Sequence, residues 1–131
     1  MNEYTDDAIS NKEEFELSIH SFYKALKLLS QDAETQCRIM GNYNVAWEIK
    51  NEVSTGSYLV DISNGRLTDK KINAINKILK KLKTIPDDVL HEAKTEDSNL
   101  RAMRHPCWKA LRKEAVILTE MLESETKWPG M

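Results

Sequence analysis

Three histidines, His20, His91 and His105, and two cysteines, Cys37 and Cys107, are the side chains best suited to metal or nucleophile chemistry in this chain. Asp88 and His91 lie three residues apart, so a helix would bring carboxylate and imidazole to one face. Di-metal sites in helical bundles use a Glu-x-x-His pair twice, with two further Glu residues. This chain offers one half-copy, with Asp in place of Glu. A solvated ion pair is therefore the expected role, and Glu16 with His20 reads the same way. His105 stands before Pro106 and is expected at a helix start. There is no HExxH and no CxxC, hence no zinc signature. No metal and no cofactor are expected. A metal-dependent bundle enzyme built around Asp88 and His91 is the third-ranked reading.

Nucleophilic catalysis finds little support. Cys107 follows Pro106 at a helix start, where the dipole can lower a thiol pKa. Arg104 and His105 are close in sequence, yet no motif of a thiol enzyme surrounds them. GxSxG and a glycine-rich phosphate loop are both absent, and the chain has only four glycines. Each thiol is expected to be buried and structural. A Cys37–Cys107 disulfide stays open at this point. The chain is expected not to be an enzyme.

Charge is segregated along the sequence. Arg66, Lys70, Lys71, Lys77, Lys80, Lys81 and Lys83 form one basic group, against Asp69 alone. Arg101, Arg104, Lys109, Arg112 and Lys113 form a second. Side by side, the groups would make a patch able to meet phosphates, and nucleic-acid binding through 66–83 and 101–113 is the second-ranked reading. Solvated helix faces are the commoner outcome of such runs. The first group lacks interleaved aromatics, so stacking on single strands is not supported. Asp87, Asp88, Glu92, Glu96 and Asp97 make the next stretch acidic. The formal net charge is −2, which gives no global pull toward nucleic acid or anionic lipid.

The elements that would position these residues are helical. With 131 residues, 40% hydrophobic and 31% charged, the chain suits one soluble domain able to bury a core. Residues 1–9 read as a flexible acidic leader. Ser10 and Glu13 form a capping box for a helix that buries Phe15, Ile19, Phe22, Leu26 and Leu29 and ends near Ser30. A second helix is expected over Asp32–Met40, with Ala33, Cys37 and Met40 inward and Gly41 and Asn42 at its end. Asn44 is expected to cap the next helix, although residues 32–60 could also run as one. Ser63-Asn64-Gly65 is a turn. Thr68 caps a helix with Ile72, Ile75, Leu79 and Leu82 as its core stripe. Ile85-Pro86 ends it. Pro86 opens a short helix with Val89, Leu90 and Ala93 inward, and Ser98 is expected to cap one turn holding Leu100 and Met103. The last helix starts at Pro106 and buries Trp108, Leu111, Ala115, Leu118 and Leu122. Residues 127–131 are a tail. The expected fold is all-α, a compact up-down bundle of four to six helices, with the domain spanning 10–126.

One segment, Tyr43 to Val60, carries two apolar faces. Wound at about 100° per residue, Val45, Ala46, Ile49, Val53, Gly56 and Val60 fall on one side. Tyr43, Trp47 and Tyr58 fall on the other, with Ser54 between Trp47 and Tyr58. Thr55-Gly56-Ser57 is a weak point, expected to kink the helix or admit a close neighbour. A second apolar stripe means either a helix packed on both sides or aromatics offered to a partner. Trp47 leans toward the core, while Tyr43 and Tyr58 divide evenly. Asn44, Glu48, Asn51 and Glu52 lie beside these aromatics. Trp and Tyr dominate binding hot spots, with polar residues at the rim.

Residues Tyr43, Asn44, Trp47, Glu48, Asn51, Glu52 and Tyr58 are thus the expected partner-binding set. In its small, acidic, helical character the chain is similar in kind to bacterial immunity proteins, which neutralise a toxin by covering its active site. No motif carries the likeness. The leading expectation is a non-catalytic protein-binding module, an inhibitor or immunity-type protein. Its partner would be another protein such as a basic toxin or nuclease, whose phosphate sites Glu48, Glu52, Asp87 and Asp88 could mimic. No membrane partner is expected. The N-terminal stretch lacks a secretory pattern, so the cytoplasm is the expected location.

Overall fold

A computed structural model describes the backbone over residues 3–41, 44–91 and 95–126, and side chains from residue 11 onward within those spans. Among the described residues the chain is helical, with no strand. The helices are α1 (Glu3–Leu29), α2 (Ala33–Met40), α3 (Val45–Ser54), α4 (Gly56–Ile62), α5 (Asp69–Leu82), α6 (Asp87–His91), α7 (Glu96–Met103) and α8 (Cys107–Leu122). A 3₁₀ turn, Glu123–Thr126, follows. The all-α bundle stands as expected, but the helices exceed the expected four to six. Residues 32–60, read as one helix or two, contribute to three.

α1 is 27 residues long, about 40 Å at 1.5 Å per residue. Neither Gly nor Pro occurs before Gly41, so nothing in the acidic leader breaks the helix. It runs back to Glu3, and Ser10 lies inside it instead of capping it. Phe15, Ile19, Phe22, Leu26 and Leu29 are buried, as their spacing predicts. This stripe is the spine of the molecule, and α3, α4, α8 and the 3₁₀ turn pack along it.

The shorter helices are delimited by local chemistry. Asp32 accepts a 2.8 Å hydrogen bond from the Thr35 N–H and caps α2. Gly41, at φ 78°, closes the same helix in a conformation that suits glycine. Asn64 and Gly65 turn the chain with φ values of 49° and 81°. Thr68 caps α5 through the Lys71 N–H. After Pro86, α6 buries Val89 and Leu90. Ala93 and the 127–131 tail lie outside the described residues.

Two expectations need correction here. The N-cap of α7 is Thr95, not Ser98. Ser98 is instead the third helical residue, and its Oγ accepts from the Thr95 N–H at 2.8 Å, which completes a capping box. In α5, Ile75, Ile78 and Leu82 are buried, whereas Ile72 and Leu79 are half-buried. The helix packs against α4 on one flank and α8 on the other, and those neighbours rotate its inner line onto Ile78. In α8 the predicted stripe holds: Trp108, Leu111, Ala115, Leu118 and Leu122 are all buried. The Trp108 Nε1–H donates to the Ala102 carbonyl at 2.9 Å, tying α8 to α7. No described helix is long and apolar enough to cross a membrane.

Candidate functional site

The two-faced segment is bent at Thr55. Ser54 Oγ donates to the Lys50 carbonyl and Thr55 Oγ1 to the Glu52 carbonyl, each at 2.6 Å. Such back-bonding hydroxyls bend helices. The Thr55 N–H also reaches the Glu52 carbonyl at 3.3 Å, a tightened i→i−3 step. Immediately beyond the bend, Gly56 is buried against α1 and α5. A Cβ there would sit 2.6 Å from Phe22 Cε1 and 3.2 Å from Ile75 Cγ2. The weak point expected at Thr55-Gly56-Ser57 is therefore both a kink and a close approach.

The inner face is as the periodicity predicts. Val45, Ala46, Ile49 and Val53 are buried, with Leu59 on α4, and Val60 is half-buried. The outer face keeps its aromatics in solvent: Trp47 is 41% exposed and Tyr58 49%. Trp47 thus belongs to the surface, against the leaning of the sequence toward the core. At about 100° per residue, Trp47, Asn51, Glu48 and Glu52 follow one another across roughly 140° of α3. Asn51 and Glu52 are exposed, and Asn44 and Glu48 are half-buried. The structure brings Trp47, Glu48, Asn51 and Glu52 onto one helix face, with Tyr58 beyond the bend on α4. Tyr43 lies outside the described residues.

Asn44 does not cap α3 with its side chain. Its φ is 42°, and its buried Oδ1 meets no hydrogen-bond partner among the described residues. The Val45 N–H is instead taken by Asn99 Oδ1 at 2.8 Å, from α7. Asn99 is held in turn by its own Nδ2, which donates to the Thr95 carbonyl at 2.8 Å. The cap is thus supplied from 54 residues away, where no local pattern points to it.

Two grooves border the face. One, of about 370 Å³, runs between α1, α2 and α3 and is lined by Leu28, Ile39, Met40, Lys24 and Glu52. Ile39 there is 60% exposed. Restricted access to water pushes the Glu52 carboxyl above the usual range, and the charge of Glu48 adds to the rise. Neither carboxylate forms an ion pair among the described residues. The other groove, of about 610 Å³, lies toward α5 and carries Lys50, Lys80 and Lys83.

The two basic groups do not merge. Lys77 and Lys81 of α5 reach Glu114 of α8 at 3.3 and 2.9 Å, and Lys71 reaches Glu125 at 2.6 Å. Arg66 donates to Asn11 Oδ1 at 2.8 Å and lies over the Phe15 ring. Arg104 pairs with Glu34 of α2. Arg112 engages α2 and α7. Its Nη2 donates to Gln36 Oε1 at 2.8 Å and to the Met103 carbonyl at 2.6 Å. The patch imagined from side-by-side groups is divided by Glu114.

The candidate catalytic groups stay apart. No group of three or more His, Cys, Asp or Glu able to hold a metal occurs among the described residues. Asp88 Oδ1 accepts from the Val89 N–H at 3.0 Å, within its own helix. His105 Nδ1 accepts from the Cys107 N–H at 3.0 Å, so it serves the start of α8. Cys37 and Cys107 are both free thiols. Burial pushes both up in pKa, which outweighs any lowering of the Cys107 thiol at the α8 start. No protein-family model, no curated protein and no solved structure matches this chain.

Proposed function

We propose that this chain is a non-catalytic binding module whose outer α3–α4 face covers a basic surface of a partner protein, as an immunity-type inhibitor does. The observation that carries this reading is Trp47. The inner face of α3 is filled by Val45, Ala46, Ile49 and Val53, yet the outer face carries a Trp with 41% of its surface exposed. An exposed Trp with Asn and Glu around it, and an exposed Tyr farther along on α4, is the composition of a binding hot spot. Glu48 and Glu52 crowd like charges together, and neither forms an ion pair among the described residues. A cationic partner would relieve that repulsion and add electrostatic steering. The apolar groove at Ile39 and Met40 extends the contact area beside them. A cytoplasmic toxin or nuclease with a basic active site fits this chemistry.

The test is capture from the native host, followed by calorimetry with the purified partner. Trp47→Ala and Glu48→Lys should each weaken binding by about ten-fold or more, with cooperative melting retained. A partner that binds both variants as tightly as the parent chain would place the contact elsewhere and end this reading.

A further inference from the structure

We propose that the groove between the α7–α8 turn and the end of α1 binds the phosphate group of a small phosphorylated molecule. Lys109, Arg112, Lys113 and Val116 recur at helical spacing along one side of α8, and all four line this groove of about 670 Å³. His105 and Ser30 complete its walls, and no carboxylate lines it. Arg104 at its edge already pairs with Glu34. Among the described residues, Lys109, Arg112 and Lys113 have no carboxylate within ion-pair distance.

Arg112 is the telling member. Its guanidinium is half-buried, and both hydrogen bonds from its Nη2 go to neutral oxygens, those of Gln36 and Met103. Its Nε is shut off from solvent and meets no acceptor among the described residues. Asp32 and Glu34 act on it through space, but neither comes within ion-pair distance. A partly desolvated cation without a contacting counter-charge is costly, and a bound anion lowers that cost. His105 adds a donor. Its Nδ1 accepts from the Cys107 N–H, so the neutral ring carries its proton on Nε2.

The distribution of charge favours a small ligand over a nucleic-acid backbone. A backbone track needs cations spread along a surface. Here Glu114 and Glu125 engage Lys71, Lys77 and Lys81 of α5, and the grooves that hold Lys109, Arg112 and Lys113 on one side and Lys50, Lys80 and Lys83 on the other share no lining residue, so the cations form separate clusters and not one track. Exposed Val116, at 45%, offers an apolar wall for the organic part of the ligand.

The test uses the full chain at low ionic strength, titrated with inorganic phosphate, phenyl phosphate and a duplex oligonucleotide while amide shifts are followed. Phenyl phosphate should bind more tightly than phosphate and shift amides at 105–116. Lys109→Glu with Lys113→Glu, both exposed, should weaken it by about ten-fold or more with the melting profile unchanged. Trp47→Ala should leave it unaltered, which separates this site from the α3–α4 face. No shift with about 10 mM phenyl phosphate, or equal binding by the double variant, would overturn the proposal. So would oligonucleotide binding that needs Lys80 and Lys83 as well, since that describes a nucleic-acid track.

Discussion

Gln36 and Arg112, 76 residues apart, meet through a 2.8 Å hydrogen bond from the guanidinium Nη2 to the amide Oε1. The same glutamine donates Nε2 to the carbonyls of Leu28 and Leu29 at 3.2 and 2.9 Å. Those carbonyls end α1, where helix N–H partners run out; the Leu28 carbonyl also accepts from the Gln31 N–H at 3.1 Å, so the Leu29 carbonyl depends most on the glutamine. Arg112 in turn donates to the Met103 carbonyl at the end of α7. One fully buried amide thereby joins α1, α2, α7 and α8. Gln36→Ala should destabilise the fold by about 1–3 kcal/mol, since it strands the Leu29 carbonyl and takes one of two acceptors from a half-buried cation. Urea unfolding with an unchanged slope and a lowered midpoint is the expected record. A loss within about 0.5 kcal/mol would mean that water replaces the amide without cost.

Gly56 is fixed by steric contact with Phe22. A methyl at Gly56 meets the ring at 2.6 Å, and the ring is fully buried and cannot swing aside freely. Alanine has the better helix propensity by about 1 kcal/mol, but overpacking costs typically 1–3 kcal/mol. Gly56→Ala should therefore lower stability despite its propensity gain. Phe22→Leu should cost less in the Gly56→Ala background than in the parent chain. Additive losses in that double-mutant cycle would show that the clash relaxes by another route.

Much of this architecture is legible along the chain, and the reasons are local. The stripes of α1 and α8 repeat at three and four residues over several turns, so their inner faces follow from periodicity. Thr68, Gly41 and Asn64-Gly65 act within four residues of themselves, so their roles can be read as caps and turns, whereas Asp32, expected as the first residue of its helix, is the cap just before it. The start of α1 is misread because a capping box at Ser10–Glu13 competes with helix continuation, and no breaker decides for it. The inner line of α5 is ambiguous for a different reason. Ile72, Ile75, Ile78, Leu79 and Leu82 supply two adjoining stripes, and only the placement of α4 and α8 selects between them. Asn99 capping α3 and Gln36 clasping Arg112 leave no periodic trace, since each is a single polar side chain acting across the fold. In the α3–α4 face, spacing identifies the residues, but their exposure depends on which neighbours α3 acquires.

Trp47→Ala separates surface from core directly. With 41% of the residue exposed, truncation should cost about 1–2 kcal/mol and leave the transition cooperative. Trp108, fully buried and hydrogen-bonded to Ala102, provides the contrast. Trp108→Ala should cost about 3–5 kcal/mol. Denaturant curves of the two variants give the comparison. A collapse of the cooperative transition in Trp47→Ala would return that indole to the core.

The thiols should be sluggish. Only the thiolate reacts, and burial raises the pKa of both Cys37 and Cys107. Near neutral pH, alkylation of the native chain should be slower at each than in a free cysteine peptide. Cys37, buried where Cys107 is half-buried, should be the slower of the two. Faster modification of Cys107 than of the peptide would show an activated thiol at the start of α8.

Glu52 ties stability to the proposed binding face with opposite signs. Its carboxyl is raised by partial desolvation and then by Glu48, so the folded chain favours the protonated form more than the unfolded chain does. Such a group stabilises fully below its unfolded pKa and loses that contribution as pH rises through its folded pKa. Ionised Glu52 is thus a liability to the fold near neutral pH. Glu52→Gln should raise the melting temperature there, and the gain should shrink away below about pH 4, where the parent side chain is itself protonated. The same substitution removes half of the acid pair offered to a cationic partner, so affinity should fall while stability rises. Parallel melts and binding isotherms across the pH range test both halves. A variant less stable at neutral pH would show that Glu52 meets a favourable charge in the fold, and the acid pair would lose its standing as an unsatisfied site.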